Sequence, residues 1–297
     1  MLQVAVDPGK VPALVFERSP GYWQTVGRRF LRDRVAIGAA VVVLILLVLA
    51  VFGPWLVPAD PYASSMMKRL EPIGFEGHPL GTDELGRDML SRLMVGARLS
   101  LFMGITPVIL AFVVGSLIGI TAGYAGGTLN TVMMRTIDVF YAFPSVLLAI
   151  ALSGALGAGI TNSLISLTIV FIPPIARVAE SVTTQIRGRD FVDAARASGA
   201  NAFTIVRVHV LGNVLGPIFV YATSLIAVAM ILASGLSFLG LGVKPPEPEW
   251  GLMLNTLRTA IYVQPWIAAL PGVMIFITSI AFNLLADGLR SAMEIKQ

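Results

Sequence analysis

The sequence predicts an all-α polytopic membrane protein with six transmembrane helices. Hydrophobic residues make up 56% of the chain and charged residues 13%, against the ~25% usual in soluble domains. Several uncharged apolar blocks reach or approach the ~20 residues that cross a bilayer as a helix. The short alternating strands of a transmembrane β-barrel are missing from the pattern. The chain has no cysteine, which removes disulfide frameworks and thiolate metal sites. Its net charge of +4 suits arginines anchored at a membrane surface better than nucleic-acid binding.

Residues 1–34 are polar and basic, with Arg18, Arg28, Arg29, Arg32 and Arg34, and read as a cytoplasmic N-terminal segment. The apolar run that follows is too long for a signal peptide and lacks a small-residue cleavage site. It is the first span, 35–57, ended by Gly53-Pro54 and Pro58. Residues 58–98 form an extracytoplasmic loop, with turn chemistry at Asp60-Pro61 and Pro79-Leu80-Gly81. From Thr82 this loop reads as an amphipathic helix lying at the interface and capped by Asp83. Leu85, Met89, Leu93 and Ala97 line one face, and Arg87, Asp88, Arg92 and Arg98 occupy the rest.

Residues 99–290 hold the other five spans. The second runs from Ser100 to Tyr124, with Gly104, Gly115 and Gly119 as small packing positions. The third covers about 132–156, and Arg135 and Asp138 near its cytoplasmic end are spaced to pair. The fourth covers about 162–179, with Pro173-Pro174 expected to bend or break it. Arg177 and Glu180 follow at pairing distance. The fifth runs over about 215–240. A second outer loop, 241–266, is too rich in proline around Lys244-Pro245-Pro246-Glu247-Pro248 for regular helix. Its Trp250, Tyr262 and Trp266 fit an interfacial aromatic belt. The sixth span, Ile267 to Ala286, is closed by the pair Asp287 and Arg290, and residues 291–297 form a cytoplasmic tail. With both termini inside, the inner segments hold 14 Lys and Arg and the outer ones 7, the expected sign of the bias.

Between the fourth and fifth spans lies a polar loop, about 187–213, and its stretch Asp193 to Asn213 is the longest polar run of the second half. It reads as two short helices. Asp190 can cap the first, with Asp193 three residues on. Ala194, Ala195 and Ala197 favour helix and leave little side-chain bulk on the surface. Gly199 suits a left-handed stop. Asn201 can cap the second helix, whose Phe203, Val206 and Val210 share a face. By pattern alone this is either a connector between spans or a place where the protein meets something soluble.

The span interiors hold almost no ionisable residue, whereas ion-coupled carriers place acids or histidine at mid-membrane. There is no G-x-x-x-x-G-K-[ST] loop, so ATP is not bound by that route. Two isolated histidines and no cysteine give no metal cluster. No nucleophile–base pair suggests an enzyme.

The polar loop resembles the coupling loop of ABC importer permeases, whose signature is E-A-A, a glycine four residues on, then I-x-x-x-H-x-L-P-N. Here it reads Asp193-Ala194-Ala195, Gly199, Ile205, His209, Leu211 and Asn213. Asp193 replaces the usual glutamate and Gly212 the usual proline. His78-Pro79-Leu80-Gly81-Thr82-Asp83, Ala142-Phe143-Pro144, Ser237-Phe238-Leu239-Gly240-Leu241-Gly242, Pro248-Glu249-Trp250-Gly251 and Asp287-Gly288-Leu289-Arg290 resemble the second, C-type subunit of the dipeptide, oligopeptide and nickel permeases. Asn130 departs from the aspartate common there.

The resemblance implies a type I ABC importer permease fold with a cytoplasmic coupling helix, in a multi-pass protein of the bacterial inner membrane. It implies import of short peptides, or of glutathione, nickel or opine-type solutes. The partners implied are a second homologous permease, two ATPase subunits that carry ATP and magnesium, an extracytoplasmic solute-binding protein and the bilayer; no nucleic acid and no cofactor on this chain are expected. Asp193, Ala194, Ala195, Ser198, Gly199, His209 and Asn213 are the expected coupling residues, and no residue is singled out for substrate. A self-sufficient carrier or channel is the reading from another class.

Overall fold

The computed structural model describes residues 21–293, without the side chains of residues 22 and 23. Most of the N-terminal segment therefore lies outside the described residues, as do residues 294–297. A short helix α1 (Tyr22–Phe30) is followed by α2 (Arg34–Leu56), whose first amides are held by Asp33: its Oδ1 accepts from Val35 N at 2.9 Å and Ala36 N at 3.1 Å. Next come α3 (Met89–Ala125), α4 (Gly127–Tyr141), α5 (Ser145–Leu156), α6 (Ile160–Arg187), α7 (Asp190–Ala197), α8 (Ala202–Ile205), α9 (Leu211–Phe238), α10 (Trp250–Thr256) and α11 (Pro265–Met293). Among the described residues five helical segments are long and apolar enough to cross a membrane, and the bent pair α4–α5, taken as one span, makes a sixth.

Long helices predominate where apolar residues surround the helix on most sides. Much of their surface stays exposed, as on α2 with Leu44, Val51 and Phe52, because lipid rather than protein solvates it. The centre of the bundle is the pairing of α3 with α6. A Cβ added at Gly119 would lie 2.3 Å from the Ala176 carbonyl oxygen, and one at Gly115 3.0 Å from that of Ile172. Glycines one turn apart thus let α6 approach the α3 backbone directly.

Several expectations change here. The helix at 82–98 is not a separate interfacial element, because α3 runs unbroken for 37 residues, ~55 Å, well beyond a ~30 Å hydrocarbon layer. Asp83 does not cap it; Asp88 does, accepting from Ser91 N at 2.8 Å. Leu85, Arg87 and Asp88 belong to the turn before the helix. Arg87 and Arg92 are buried against Asp83, with Nε–Oδ2 distances of 2.6 and 3.1 Å. The third span is broken instead: Ala142-Phe143-Pro144 turns α4 against α5 by 85°. Pro173 and Pro174 do not break α6, which continues for 28 residues.

The second outer loop does hold a helix. Glu249 ends the proline run and caps α10, accepting from Gly251 N at 2.9 Å and Leu252 N at 2.8 Å. Burial pushes its carboxyl above the ordinary carboxylate range, and these two amides with Ser237 and Ser100 pull it partly back. Trp250 is fully buried rather than interfacial, with its indole N–H on Leu93 O at 3.0 Å. Tyr262 and Trp266 are exposed, as a belt requires.

Candidate functional site

The segment joining α6 to α9 lies at the end of the bundle that also carries α1 and the end of α11. After Arg187, Gly188 and Arg189 turn the chain into α7. Asp190 is the first residue of this helix, not its cap, and Arg189 in the cap position supplies no side-chain bond. Asp190 and Asp193 both sit in the first turn, where carboxylates complement the helix dipole. Asp193 Oδ1 meets Arg196 Nη1 at 2.9 Å across one turn, with both side chains more than half exposed.

One face of α7 is fastened down. Val192 is fully buried in the main core together with Ile205 and Val210, and Ala195 and Ala200 pack against it. Asp193, Ala194, Ala197 and Ser198 face outward. The helix ends in a paired-bond stop. Ala200 N donates to Ala195 O at 3.1 Å and Gly199 N to Arg196 O at 3.0 Å, with Gly199 at φ +85°. This is the left-handed reversal expected of that glycine.

The second arm departs from the expected short helix. Asn201 does cap it, accepting from Thr204 N at 2.8 Å. The helix then passes through one wide turn, Val206–Val210, in which Leu211 N reaches back to Val206 O, and continues as α9. The wide turn inserts a residue, so positions before it are rotated by ~100° relative to the span. Phe203, expected to share a face with Val206 and Val210, is 74% exposed while Val210 is buried, and Ile205 supplies the buried position of the first arm. Asn213 Nδ2 donates to His209 O at 2.7 Å, and the His209 ring lies 6.3 Å from Phe191.

The candidate residues thus divide. Asp193, Ala194, Ser198 and Gly199 are presented together, Ala195 turns inward, and His209 and Asn213 brace the wide turn on the other arm. Val192 and Phe191 were not singled out by sequence, and Ile205 entered only as a position of the signature, without a role in the core. Val192 had a signal, since it lies three residues from Ala195 on the same helical face.

The charge pairs also rearrange. Asp138 pairs with Arg177 of α6, not with Arg135, which is exposed. Glu180 pairs with neither arginine: it accepts from Asn130 Nδ2 at 2.8 Å and Thr184 Oγ1 at 3.3 Å. Asn130 is therefore matched to its neighbour, because an aspartate there would set two carboxylates together. Asp287 and Arg290 line one cavity of about 410 Å³ with Tyr221 and Ser224 between α9 and α11. Among the described residues no group of three His, Asp or Glu is placed to hold a metal.

A bundle of five long helices and one broken span, with a short exposed helix clamped between two of them, is the architecture of an ABC importer permease. Over 69% of the chain it superposes on 97% of a chain in an inward-facing structure of the MetNI methionine ABC transporter, with a TM-score of 0.57 and 20% identity. Residues 115–295 match the binding-protein-dependent transport system inner membrane component family, and residues 21–72 match the N-terminal TM domain of oligopeptide transport permease C. The chain belongs to this family of permeases, as a C-type subunit of its peptide branch. It is 40% identical to the glutathione transport system permease protein GsiD of Pectobacterium atrosepticum, over 92% of this chain and 91% of that one. It is 39% identical to the di/tripeptide transport system permease protein DppC of Pseudomonas aeruginosa, over 97% and 96%.

Proposed function

We propose that this chain is one transmembrane subunit of an ATP-driven, binding-protein-dependent importer of short peptides. It forms half of the passage with a second, homologous permease and receives motion from a cytoplasmic ATPase subunit at α7. Two such ATPases hold ATP and magnesium, and this chain holds no cofactor. Both its termini then lie in the cytoplasm, and the solute-binding protein docks on the opposite face.

The observation that carries this reading is the build of α7. Its outer face presents Asp193 with its partner Arg196 beside the small Ala194, Ala197 and Ser198, while Val192 is fully buried in the core shared by α3, α6 and α9. A push on the exposed face therefore moves packed spans rather than a free loop. Alanines allow close approach, and Asp193 offers a charge for the partner groove. Glutathione is itself a tripeptide, so the names of both relatives fall within one solute class.

The test is reconstitution. The chain, its co-encoded permease and ATPases are placed in liposomes with ATP inside and the binding protein outside. Labelled dipeptide, tripeptide, glutathione and nickel are compared. Peptide uptake that requires both ATP and the binding protein supports the proposal. Uptake by this chain alone, without ATP, would mean a self-sufficient carrier, and uptake of nickel alone would overturn the peptide assignment.

A further inference from the structure

Arg98 is exposed on α3 and has no ion-pair or hydrogen-bond partner among the described residues. It is the last charged residue before an uncharged run that continues to the end of α3 at Ala125. It therefore stands at the edge of the hydrocarbon layer, on the side opposite α7. Trp55, 76% exposed, stands beside it on α2 and marks the same depth.

Two recesses meet at this arginine. Toward the bilayer centre, a groove of about 420 Å³ between α2 and α3 is lined by Leu47, Val51, Trp55, Phe102 and Ile105. Toward the surface, a second recess of about 320 Å³ is lined by Val57, Asp60, Tyr62, Leu99 and Glu247. Arg98 lines both. Its rim is set: Asp60 Oδ1 accepts from Tyr62 N at 2.9 Å, and Glu247 Oε2 accepts from Tyr62 OH at 3.1 Å. Each carboxylate has a second oxygen to offer.

The order from the membrane outward is apolar groove, one cation, then two carboxylates. We propose that this is a binding site for an aminophospholipid. One acyl chain lies in the α2–α3 groove, the phosphate pairs with Arg98, and the primary ammonium of the headgroup meets Asp60 and Glu247. A guanidinium suits a phosphate because it donates in a fork. Phosphatidylethanolamine has the matching sequence of chain, anion and N–H donor. Phosphatidylglycerol lacks the cation, and phosphatidylcholine has a cation without N–H.

The experiment is native mass spectrometry of the purified membrane complex containing the full chain, exchanged into defined mixtures of the three lipids. The unaltered complex should retain one more phosphatidylethanolamine than the Arg98→Gln complex. Retention at that site should fall by about tenfold, the worth of one charge-assisted hydrogen bond, with partial rescue by Arg98→Lys. Asp60→Asn should reduce the preference for phosphatidylethanolamine over phosphatidylglycerol. Val51→Trp, which fills the groove and leaves Arg98 in place, should displace the same lipid, so the result does not depend on one variant assembling. Equal retention by the unaltered, Arg98→Gln and Val51→Trp complexes would overturn the proposal. So would efficient cross-linking of a cysteine at Val51 to another protein chain, which would show the groove covered by protein.

Discussion

The Arg177 guanidinium on α6 holds the Asp138 carboxylate on α4, 39 residues away, and so ties the first half of the broken span to the helix that leads into α7. The side chains are 42% and 32% exposed, so solvent screens the pair and its worth is set at ~1 kcal/mol or less. Asp138→Asn and Arg177→Gln should each lower the melting temperature slightly. The double variant should lose less than the sum of the two, by a few tenths of a kcal/mol. Additive losses in that cycle would mean the two residues act separately. A parallel cycle on Asp138 and Arg135 should show no coupling.

Asp83 carries far more. It accepts from Leu85 N and Arg87 N, both at 2.9 Å, and from Arg87 Nε, and it faces Arg92 Nε, with Asp83, Arg87 and Arg92 all buried. Arg92 also donates to Pro61 O at 3.0 Å, which fastens the first outer loop to α3. Removing the carboxylate leaves Arg92 buried without its counter-charge and Arg87 with Glu84 alone. Asp83→Ala is expected to cost ~3–5 kcal/mol, while Glu76→Gln on the exposed rim should stay within about 0.5 kcal/mol. Thermal denaturation in detergent reads both, and a mild effect of Asp83→Ala would show that water reaches the cluster.

That cluster also shows where sequence reading stops. The spans were legible because apolar length is a local property, and the left-handed turn at Gly199 was legible because one residue type suits it. Which polar residues are buried was not. Arg87 and Arg92 fall outside the apolar stripe of the amphipathic pattern and look exposed, and only the folding of residues 58–88 over α3 encloses them. Arg135 and Asp138 satisfy the spacing rule for a pair, yet Arg177 arrives from another helix and takes the aspartate. The wide turn at Val206–Val210 left no signal beyond His209 and Asn213, and it moved Phe203 to the outside.

Glu249 gives a pH dependence whose sign is fixed by its burial. Its carboxyl is raised above the ordinary value, so the folded protein holds the proton more tightly than the unfolded chain does. This contribution to stability is full below the ordinary carboxylate range. It is lost as the pH rises through the raised folded value. Glu249→Gln removes the titration. The unaltered protein should therefore gain thermal stability relative to Glu249→Gln as the pH is lowered from neutrality. A melting difference that stays constant with pH would show that the carboxylate titrates as it does in water. Glu249→Ala should lose the cap of α10 at every pH, by about 1–2 kcal/mol.

Gly199 separates backbone strain from crowding. Nothing lies within 4 Å of where its Cβ would stand, so a side chain meets no obstacle there. The φ of +85° is the whole cost. A β-branched residue resists the left-handed region, and forcing it there costs ~1–3 kcal/mol. The stop at Ala195–Ala200 would open instead, and α7 would lose its fixed angle to the wide turn. Gly199→Val is expected to reduce ATP-driven uptake about tenfold while the complex inserts and assembles at normal levels. Gly199→Asn, which enters the left-handed region more readily, should fall between Val and the unaltered protein. The opening is confined to the stop at Ala195–Ala200, so the main unfolding transition should move little in either variant. Uptake by Gly199→Val equal to that of the unaltered complex would show that the angle of α7 does not matter to transport.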